Sequence, residues 1–92
     1  MVASMHNAAS DVLAAAVVRL RKAAGMNQRQ LAAALGREQS YIGRIETGQR
    51  RLDLIDWLAI CRACGVEAEA TVTRLLKEIA PLVPRRRSRR QG

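Results

Sequence analysis

Aliphatic residues and glycines recur at fixed spacing between positions 28 and 48, and this pattern restricts the possible folds of the chain more than its length or composition. The pattern reads Gln28-x2-Leu31-Ala32-x2-Leu35-Gly36-x5-Ile42-x2-Ile45-Glu46-x-Gly48. Apolar residues return at helical spacing on both sides of Gly36, and glycine tolerates the positive φ angle of a tight turn. The pattern therefore predicts two short helices that cross at roughly 90–120° through a turn of about three or four residues.

The apolar positions of this pattern have a packing role. Ala32 is small enough for the second helix of the pair to pass closely over the first. The larger residues are expected to fill the wedge between the two helices, and they are Leu31, Leu35, Ile42 and Ile45. A filled wedge would present the start of the second helix as a projecting surface.

Three further helices are predicted around this pair, which makes the chain all-α with five helices. The expected ranges are residues 10–24, 28–35, 39–47, 54–64 and 67–80. Either Ser10 or Asn7 could cap the first helix, and Asn27 with Gln30 gives the second a capping-box pattern. Pro81 is expected to stop the fifth helix because proline lacks the N–H group that would continue it.

The chain is expected to form one domain with a tail at each end. Residues 10–83 would form the helical domain, residues 1–9 a flexible segment, and residues 84–92, with five arginines, a disordered tail. Hydrophobic residues make up 49% of the 92 positions, which is enough for one modest core. No apolar run reaches the roughly 18 residues of a membrane span, and the first residues lack the pattern of a signal peptide, so a cytoplasmic location is expected.

Positive charge is concentrated in one part of the predicted domain. The net charge of the chain is +8. Residues 19–51 carry eight basic and two acidic side chains, whereas residues 52–84 carry three basic and five acidic ones. A basic block of this kind is typical of a surface that faces phosphate groups, although a solubilising surface would have the same composition.

The stretch from Gly25 to Gly48 resembles the lambda-type repressor and Cro family of helix-turn-helix regulators, also called the xenobiotic-response-element (XRE) family, almost position for position. The resemblance extends over about residues 17–76 and implies a compact five-helix, lambda-repressor-like fold in a bacterial or phage-encoded protein. The function that it implies is a transcriptional regulator that binds double-stranded operator DNA, expected to be a repressor acting as a homodimer on a palindromic site. The alternative is an antitoxin-type interaction protein that binds a partner protein and regulates its own operon.

The exposed face of the third helix is expected to read DNA bases. A helical wheel separates this face from the apolar face and places Tyr41 at the edge between them. Four residues on the polar face are assigned to base reading, namely Gln39, Ser40, Gly43 and Arg44. The amide of Gln39 suits adenine and the guanidinium of Arg44 suits guanine. The alternatives are a solvated helix face and, for Arg44, a phosphate contact.

Residues around the helix pair are expected to hold the DNA backbone. By the resemblance, these contacts lie at the start of the second helix and in the loop after the third, and comprise Asn27, Gln28, Thr47, Gln49, Arg50 and Arg51. Such contacts give affinity and register but little sequence information. The resemblance also pairs Arg21 with Glu46, so Arg21 is expected to form a structural salt bridge and to lie close to the DNA backbone.

The fifth helix carries an apolar stripe that could exceed what so small a domain can cover. Its central residues are Val72, Leu75, Leu76 and Ile79. Symmetric dimers are the usual arrangement on palindromic operators, so these residues are expected to form a homodimer interface. The alternative is that the stripe only closes the core of the single chain.

The remaining residues give no indication of catalysis or of cofactor binding. Cys61 and Cys64 form a C-x-x-C pair, but they lie inside an amphipathic helix without the four ligands that zinc requires, so both are expected to pack in the core with Trp57. No metal, cofactor, small-molecule substrate, membrane partner or enzymatic activity is therefore expected. The arginine tail could add phosphate affinity or act only to improve solubility.

Overall fold

The computed structural model describes residues 7–85, and within this range the chain folds into five α-helices. They are α1 (Ala8–Ala23), α2 (Gln28–Ala34), α3 (Gln39–Glu46), α4 (Leu54–Cys64) and α5 (Ala68–Ile79), followed by a short 3₁₀ turn at Ala80–Leu82. No strand occurs between residues 7 and 85. The predicted all-α class with five helices is confirmed. Residues 1–6 of the predicted flexible N-terminal segment and residues 86–92 of the predicted arginine tail lie outside the described residues.

Capping boxes fix where the first two helices begin. The Asn7 side chain accepts a hydrogen bond from the Ser10 N–H at 2.8 Å, and the Ser10 hydroxyl bonds the Asn7 N–H at 3.0 Å. The two alternative caps therefore act together, and α1 begins two residues earlier than predicted. The predicted box before α2 is confirmed, with both bonds between Asn27 and Gln30 at 2.8 Å. A cap of this kind stabilises a helix by about 1 kcal/mol.

The turn between α2 and α3 has the conformation that the sequence predicts. Gly36 has a φ of +69°, a conformation that L side chains rarely adopt. The N–H of Arg37 donates to the carbonyl of Ala32 at 2.8 Å and closes the end of α2. The turn is therefore short and tied to α2, which sets the position at which α3 starts.

Every helix contributes to one core, and the wedge between α2 and α3 lies inside it. Leu31 and Ile42 have no exposed surface and Ile45 has 2%, while Leu35 is half-buried. Each large aliphatic side chain buried in this way stabilises the fold by about 1.5–3 kcal/mol. The wedge thus fixes the orientation of α3 relative to the rest of the domain, as predicted.

The C-x-x-C pair and the tryptophan lie where core packing would place them. Trp57 and Cys61 are buried and Cys64 is half-buried, and both cysteines are free thiols. Burial raises the pKa of each thiol. Within residues 7–85, no group of three or more His, Cys, Asp or Glu side chains is arranged to hold a metal ion.

The fifth helix ends just before Pro81, as predicted. α5 ends at Ile79, and Pro81 lies in the short 3₁₀ turn that follows it. Proline is tolerated at the start of a helical turn because the N–H that it lacks would have no partner there. None of the helices in the described range is both long and apolar enough to span a membrane.

Candidate nucleic-acid interface

The polar face of α3 is open to solvent, as the helical wheel predicts. Gln39, Ser40 and Arg44 are exposed and Gly43 is half-buried. Tyr41 has 8% of its surface exposed and therefore belongs to the buried side rather than to the edge. α3 consequently presents a polar strip along its outer side while its inner side is held in the core.

Gly43 leaves the middle of this strip without a side chain. A Cβ atom at this position would lie 3.7 Å from Oε1 of Gln28 and would meet no other heavy atom so closely. That separation is an ordinary van der Waals contact, and the φ of Gly43 is not positive. The fold therefore does not require a glycine at position 43. The glycine does, however, leave the outer surface of α3 flat at this position.

A buried ion pair holds α3 to α1. The Arg21 Nε donates to Glu46 Oε2 at 2.7 Å, and Nη2 donates to Oε1 at 3.1 Å. The side chains are 11% and 6% exposed, and the hydrogen bonds to Glu46 raise the pKa of Arg21. The remaining terminal nitrogen, Nη1, donates to the carbonyl of Met26 at 3.0 Å. The predicted salt bridge is confirmed, and each of the three guanidinium nitrogens of Arg21 donates one hydrogen bond within the protein.

This ion pair continues as a chain of hydrogen bonds to the surface. Gln28 Nε2 donates to Glu46 Oε1 at 2.8 Å, and Gln39 Nε2 donates to Gln28 Oε1 at 3.2 Å. The side chain assigned to reading adenine is thus oriented by a neighbour assigned to the DNA backbone. Arg21, Asn27, Gln28 and Gln39 also line one open cavity together with Arg29, a cation that the sequence analysis did not assign.

The loop after α3 carries the second predicted group of backbone contacts. Thr47, Gln49, Arg50 and Arg51 are all exposed. The Thr47 hydroxyl donates to the carbonyl of Gly43 at 3.0 Å, which closes the last turn of α3. The loop therefore begins from a defined helix end and places polar and basic side chains directly beside it.

A cluster around Tyr41 joins α3 to the start of α4, and the sequence analysis missed most of it. The Tyr41 hydroxyl donates to Asp56 Oδ1 at 2.8 Å. The Cζ atoms of Arg37 and Arg50 lie 4.2 and 4.8 Å from the ring centroid. Arg50 Nη2 is also 4.0 Å from Asp56 Oδ2. The four-residue spacing from Arg37 to Tyr41 was the one available signal, since the contact with Asp56 depends on tertiary packing.

The ionisation of this cluster follows from its contacts. Burial raises the pKa of Tyr41, and the hydrogen bond to Asp56 adds to the shift. Burial acts to raise the pKa of Asp56 as well, but hydrogen bonds from Tyr41 and Asp53 outweigh it and hold that pKa below its ordinary value. Asp56 is therefore an anion and Tyr41 a neutral donor at neutral pH.

The apolar stripe of α5 is divided between the core and the surface. Leu75 is 5% exposed and packs in the core, whereas Leu76 is 59% exposed and Val72 and Ile79 are half-buried. Exposed aliphatic side chains also occur on α4, where Leu54, Ile55 and Leu58 are 73%, 77% and 37% exposed. A mostly apolar groove between the two helices is referred to below as the α4–α5 groove. It is lined by Leu13, Leu52, Asp53, Leu54, Trp57, Val72, Leu75, Leu76 and Ile79. The α4 part was not predicted.

Comparison with known proteins gives the chain a family. A family model described as a helix-turn-helix domain matches residues 12–75, which include the predicted motif and parts of all five helices. No curated protein matches the chain.

Several solved structures share the fold. An XRE-family like protein from Pseudomonas syringae pv. tomato str. DC3000 is 38% identical, with a TM-score of 0.72 and coverage of 79% of this chain and 89% of that one. The restriction-modification controller protein C.AhdI from Aeromonas hydrophila is 32% identical, with a TM-score of 0.63 and coverage of 68% and 96%. The controller protein C.Esp1396I, solved as a tetramer with its natural 35 base-pair operator, is 24% identical and resembles this chain in fold, with a TM-score of 0.70 and coverage of 82% and 99%.

The family match covers the helix pair whose outer face has been described above, and it agrees with the resemblance seen in the sequence. The chain belongs to the XRE family of lambda-type helix-turn-helix proteins, which are DNA-binding regulators of transcription.

Proposed function

We propose that this protein is a sequence-specific repressor that binds a palindromic operator as a homodimer and inserts α3 into the major groove. The observation that carries the proposal is the exposed polar face of α3, whose first residue is oriented by hydrogen bonds that lead back to a buried ion pair. A reading surface of this kind is held in place before it meets DNA. Pre-organisation lowers the cost of ordering side chains on binding.

Base reading is proposed for four residues of α3. Gln39 would pair through its amide with adenine, and Arg44 would pair through two N–H groups with guanine. Ser40 would bond a base or a phosphate, and Gly43 would let the helix lie close to the base edges. The strip would therefore contain three side chains that can bond DNA and one glycine that permits close approach.

Contacts to the DNA backbone are proposed on both sides of α3. Asn27 and Gln28 lie at the start of α2, where free N–H groups and the helix dipole favour a phosphate. On the other side, Thr47, Gln49, Arg50 and Arg51 would form a second clamp. Arg21 would act close to the backbone by fixing Glu46 and, through it, Gln28 in place, since each of its guanidinium nitrogens already donates to a protein oxygen.

The homodimer is proposed to form through the α4–α5 groove and the exposed aliphatic side chains of α4 beside it. A second copy of the chain would cover Leu76 and the exposed residues Leu54 and Ile55, with Val72 and Ile79 at the margin and Leu75 supporting the surface from the core. In a dimer that binds two half-sites, the two copies of α3 lie about one DNA turn, roughly 34–36 Å, apart. The same apolar face would bind the partner in the antitoxin alternative, so a partner protein that co-purifies in place of a second copy would favour that alternative.

The wider organisation follows from these roles. Residues 10–83 would be the DNA-binding domain, with α5 as the dimerisation helix. The activity would be binding without catalysis, in the cytoplasm, where the operator DNA is.

Selection of bound sites from random duplex DNA, followed by affinity measurements on the selected site, tests the proposal. Arg44→Ala should relax the preference at one base position and cost about 1–3 kcal/mol on the selected site. Arg51→Ala should weaken binding to all duplexes evenly, because phosphate contacts carry no sequence information. Equal behaviour of the two variants would contradict the division into base readers and backbone contacts, and a wild-type protein without preference among duplexes would contradict the function itself.

A further inference from the structure

We propose that Arg37 and Arg50 together bind one phosphate of the DNA backbone beside the start of α3, and that Tyr41 and Asp56 are positioning residues for this pair. The inference rests on the proposed DNA-binding function, in which Arg50 already contacts the DNA backbone, and adds to it Arg37, the sharing of one phosphate and the two positioning residues. Arg37 belongs to the turn between α2 and α3, and Arg50 belongs to the loop after α3. One residue from before α3 and one from after it thus contact the same ring.

The cluster places two cations against one aromatic ring. Both guanidinium carbons lie within 5 Å of the centroid of the Tyr41 ring, at 4.2 and 4.8 Å. A guanidinium that stacks on an aromatic ring uses its flat face for the contact and keeps its in-plane N–H groups free. The two side chains therefore retain their hydrogen-bond donors while their positions are restricted.

The charges of the cluster are not balanced within the described part of the chain. Asp56 is the one carboxylate that contacts the ring or its arginines, and its oxygens already accept from the Tyr41 hydroxyl and from the N–H of Asp53. The Asp53 carboxylate lies next to it and accepts from the Asp56 N–H at 2.7 Å, and it makes no ion pair with an arginine between residues 7 and 85. Arg50 is 4.0 Å from this carboxylate, and Arg37 makes no ion pair with any residue between 7 and 85. Two like charges that converge on one ring with one shared counter-charge form a surface that favours an anion.

The position of the cluster indicates which anion would bind. Arg37 lies two residues before Gln39, the first residue of α3, so the pair lies beside the start of the polar strip proposed to enter the major groove. The nearest anion for a helix in that groove is a phosphodiester at the groove edge. Arginine suits it because the planar guanidinium can donate two parallel hydrogen bonds to phosphate oxygens.

Tyr41 and Asp56 would act through the two arginines rather than on DNA. Tyr41 is 8% exposed, and its hydroxyl is bonded to Asp56, which belongs to the capping box at the start of α4. The ring is therefore fixed at both its buried edge and its hydroxyl. A fixed ring restricts the two guanidinium groups in the free protein and reduces the ordering needed when phosphate binds.

Affinity for the selected operator and for a random duplex, measured by fluorescence anisotropy over a range of salt concentrations, tests the shared site. Arg37→Gln and Arg50→Gln should each weaken both duplexes several-fold and alike. The double variant should reduce the slope of log affinity against log salt by about 0.9, the value for one phosphate. A reduction of about 1.8 would mean two separate phosphates and would overturn the shared site. Arg62→Gln removes the same charge from an exposed position at the end of α4 and should leave the slope unchanged.

The positioning role has its own test. Tyr41→Leu changes no charge, yet it should lower affinity about as much as Arg37→Gln, and adding Arg37→Gln to it should cost little more. Tyr41→Phe and Asp56→Asn keep the ring and should give a smaller loss, which retains a readout if Tyr41→Leu folds poorly. Variants of Tyr41 and Asp56 that lower the melting temperature without changing DNA affinity would show a purely structural cluster.

Failure of this inference can be told apart from failure of the proposed function. A wild-type protein that binds the operator normally, with a salt slope that Arg37→Gln and Arg50→Gln leave intact, overturns the phosphate site alone. A wild-type protein that binds no duplex overturns the proposed function.

Discussion

The α2–α3 face and the α4–α5 face differ in how far the single chain completes them. On the α2–α3 face, Arg21, Glu46, Gln28 and Gln39 form a continuous chain of hydrogen bonds from the interior to the surface. On the α4–α5 face, Leu54, Ile55, Leu58 and Leu76 are exposed. The first face is prepared by the fold itself, whereas the second has apolar surface that another molecule would have to cover. Binding DNA and pairing with a second copy are therefore expected to depend on different parts of the sequence.

Ile55→Glu, which changes the α4–α5 face alone, should have the largest effect on operator affinity. A buried carboxylate at the proposed dimer interface would prevent pairing, and a monomer that binds one half-site loses the effective concentration of the second. Operator affinity should fall by about 10²–10⁴-fold while the monomer stays folded, because Ile55 is 77% exposed. Sedimentation or light scattering with operator titrations measures both changes.

The matched control for this change is Ala15→Glu, which adds the same charge at an exposed position on α1. It should leave the oligomeric state unchanged. An Ile55→Glu protein that is still dimeric on the operator would refute the α4–α5 interface.

Glu46→Ala should show that the order of the α2–α3 face depends on the buried ion pair beneath it. The substitution leaves the guanidinium of Arg21 buried without its partner, which costs about 3 kcal/mol of unfolding free energy. Gln28 loses an acceptor as well, so the orientation of Gln39 should be lost with it. Urea denaturation gives the stability change, and Glu78→Ala, at an exposed glutamate of α5, should stay within about 0.5 kcal/mol of wild type.

Gly43→Ala should move stability and DNA binding in opposite directions. Alanine is favoured over glycine inside a helix by about 1 kcal/mol, and the new methyl group would meet nothing closer than 3.7 Å in the protein. The same methyl group would separate α3 from the base edges. Thermal unfolding and operator titration together measure the pair of effects, and an unchanged operator affinity would argue against close approach of DNA at this position.

The cluster that connects the two faces should give the smallest effect, at the extremes of pH. The pKa of Asp56 is lowered from 3.8 by folding, so its contribution to stability is complete above that value and is lost as the pH falls through the lower folded pKa. The pKa of Tyr41 is raised from 10.0, so its contribution is present below pH 10 and lost as the pH rises through the folded pKa. Each contribution should be about 1 kcal/mol or less. Urea denaturation across pH should show a flatter acid limb in Asp56→Asn and a flatter alkaline limb in Tyr41→Phe.

Most of the fold could be predicted because its signals are local. The capping box of Asn27 and Gln30, the positive φ of Gly36 and the two faces of α3 depend on residues within a few positions of one another. The pairing of Arg21 with Glu46 spans 25 positions and could be predicted only through the family resemblance. The polar face of α3 could therefore be predicted from residue spacing, whereas the pairing of Arg21 with Glu46 required the family resemblance.

The parts that sequence could not give are those that depend on how helices meet. The contact between Tyr41 and Asp56 joins residues 15 positions apart on different helices, and no periodicity indicates it. Leu75 and Leu76 are neighbours in one apolar stripe, yet one is in the core and the other at the surface, because successive residues of a helix point about 100° apart. The apolar stripe of α5, seen in the sequence, therefore does not show which of its residues the other helices will bury.

The hydrogen bond between Gln28 and Gln39 has a consequence for how this protein could acquire a new target. A replacement at position 39 changes the reader and also removes the donor that Gln28 accepts from, so the neighbouring amide is released at the same time. Retargeting the protein to a different operator is therefore expected to require joint exchange at both positions, and libraries that vary position 39 alone should recover few working specificities.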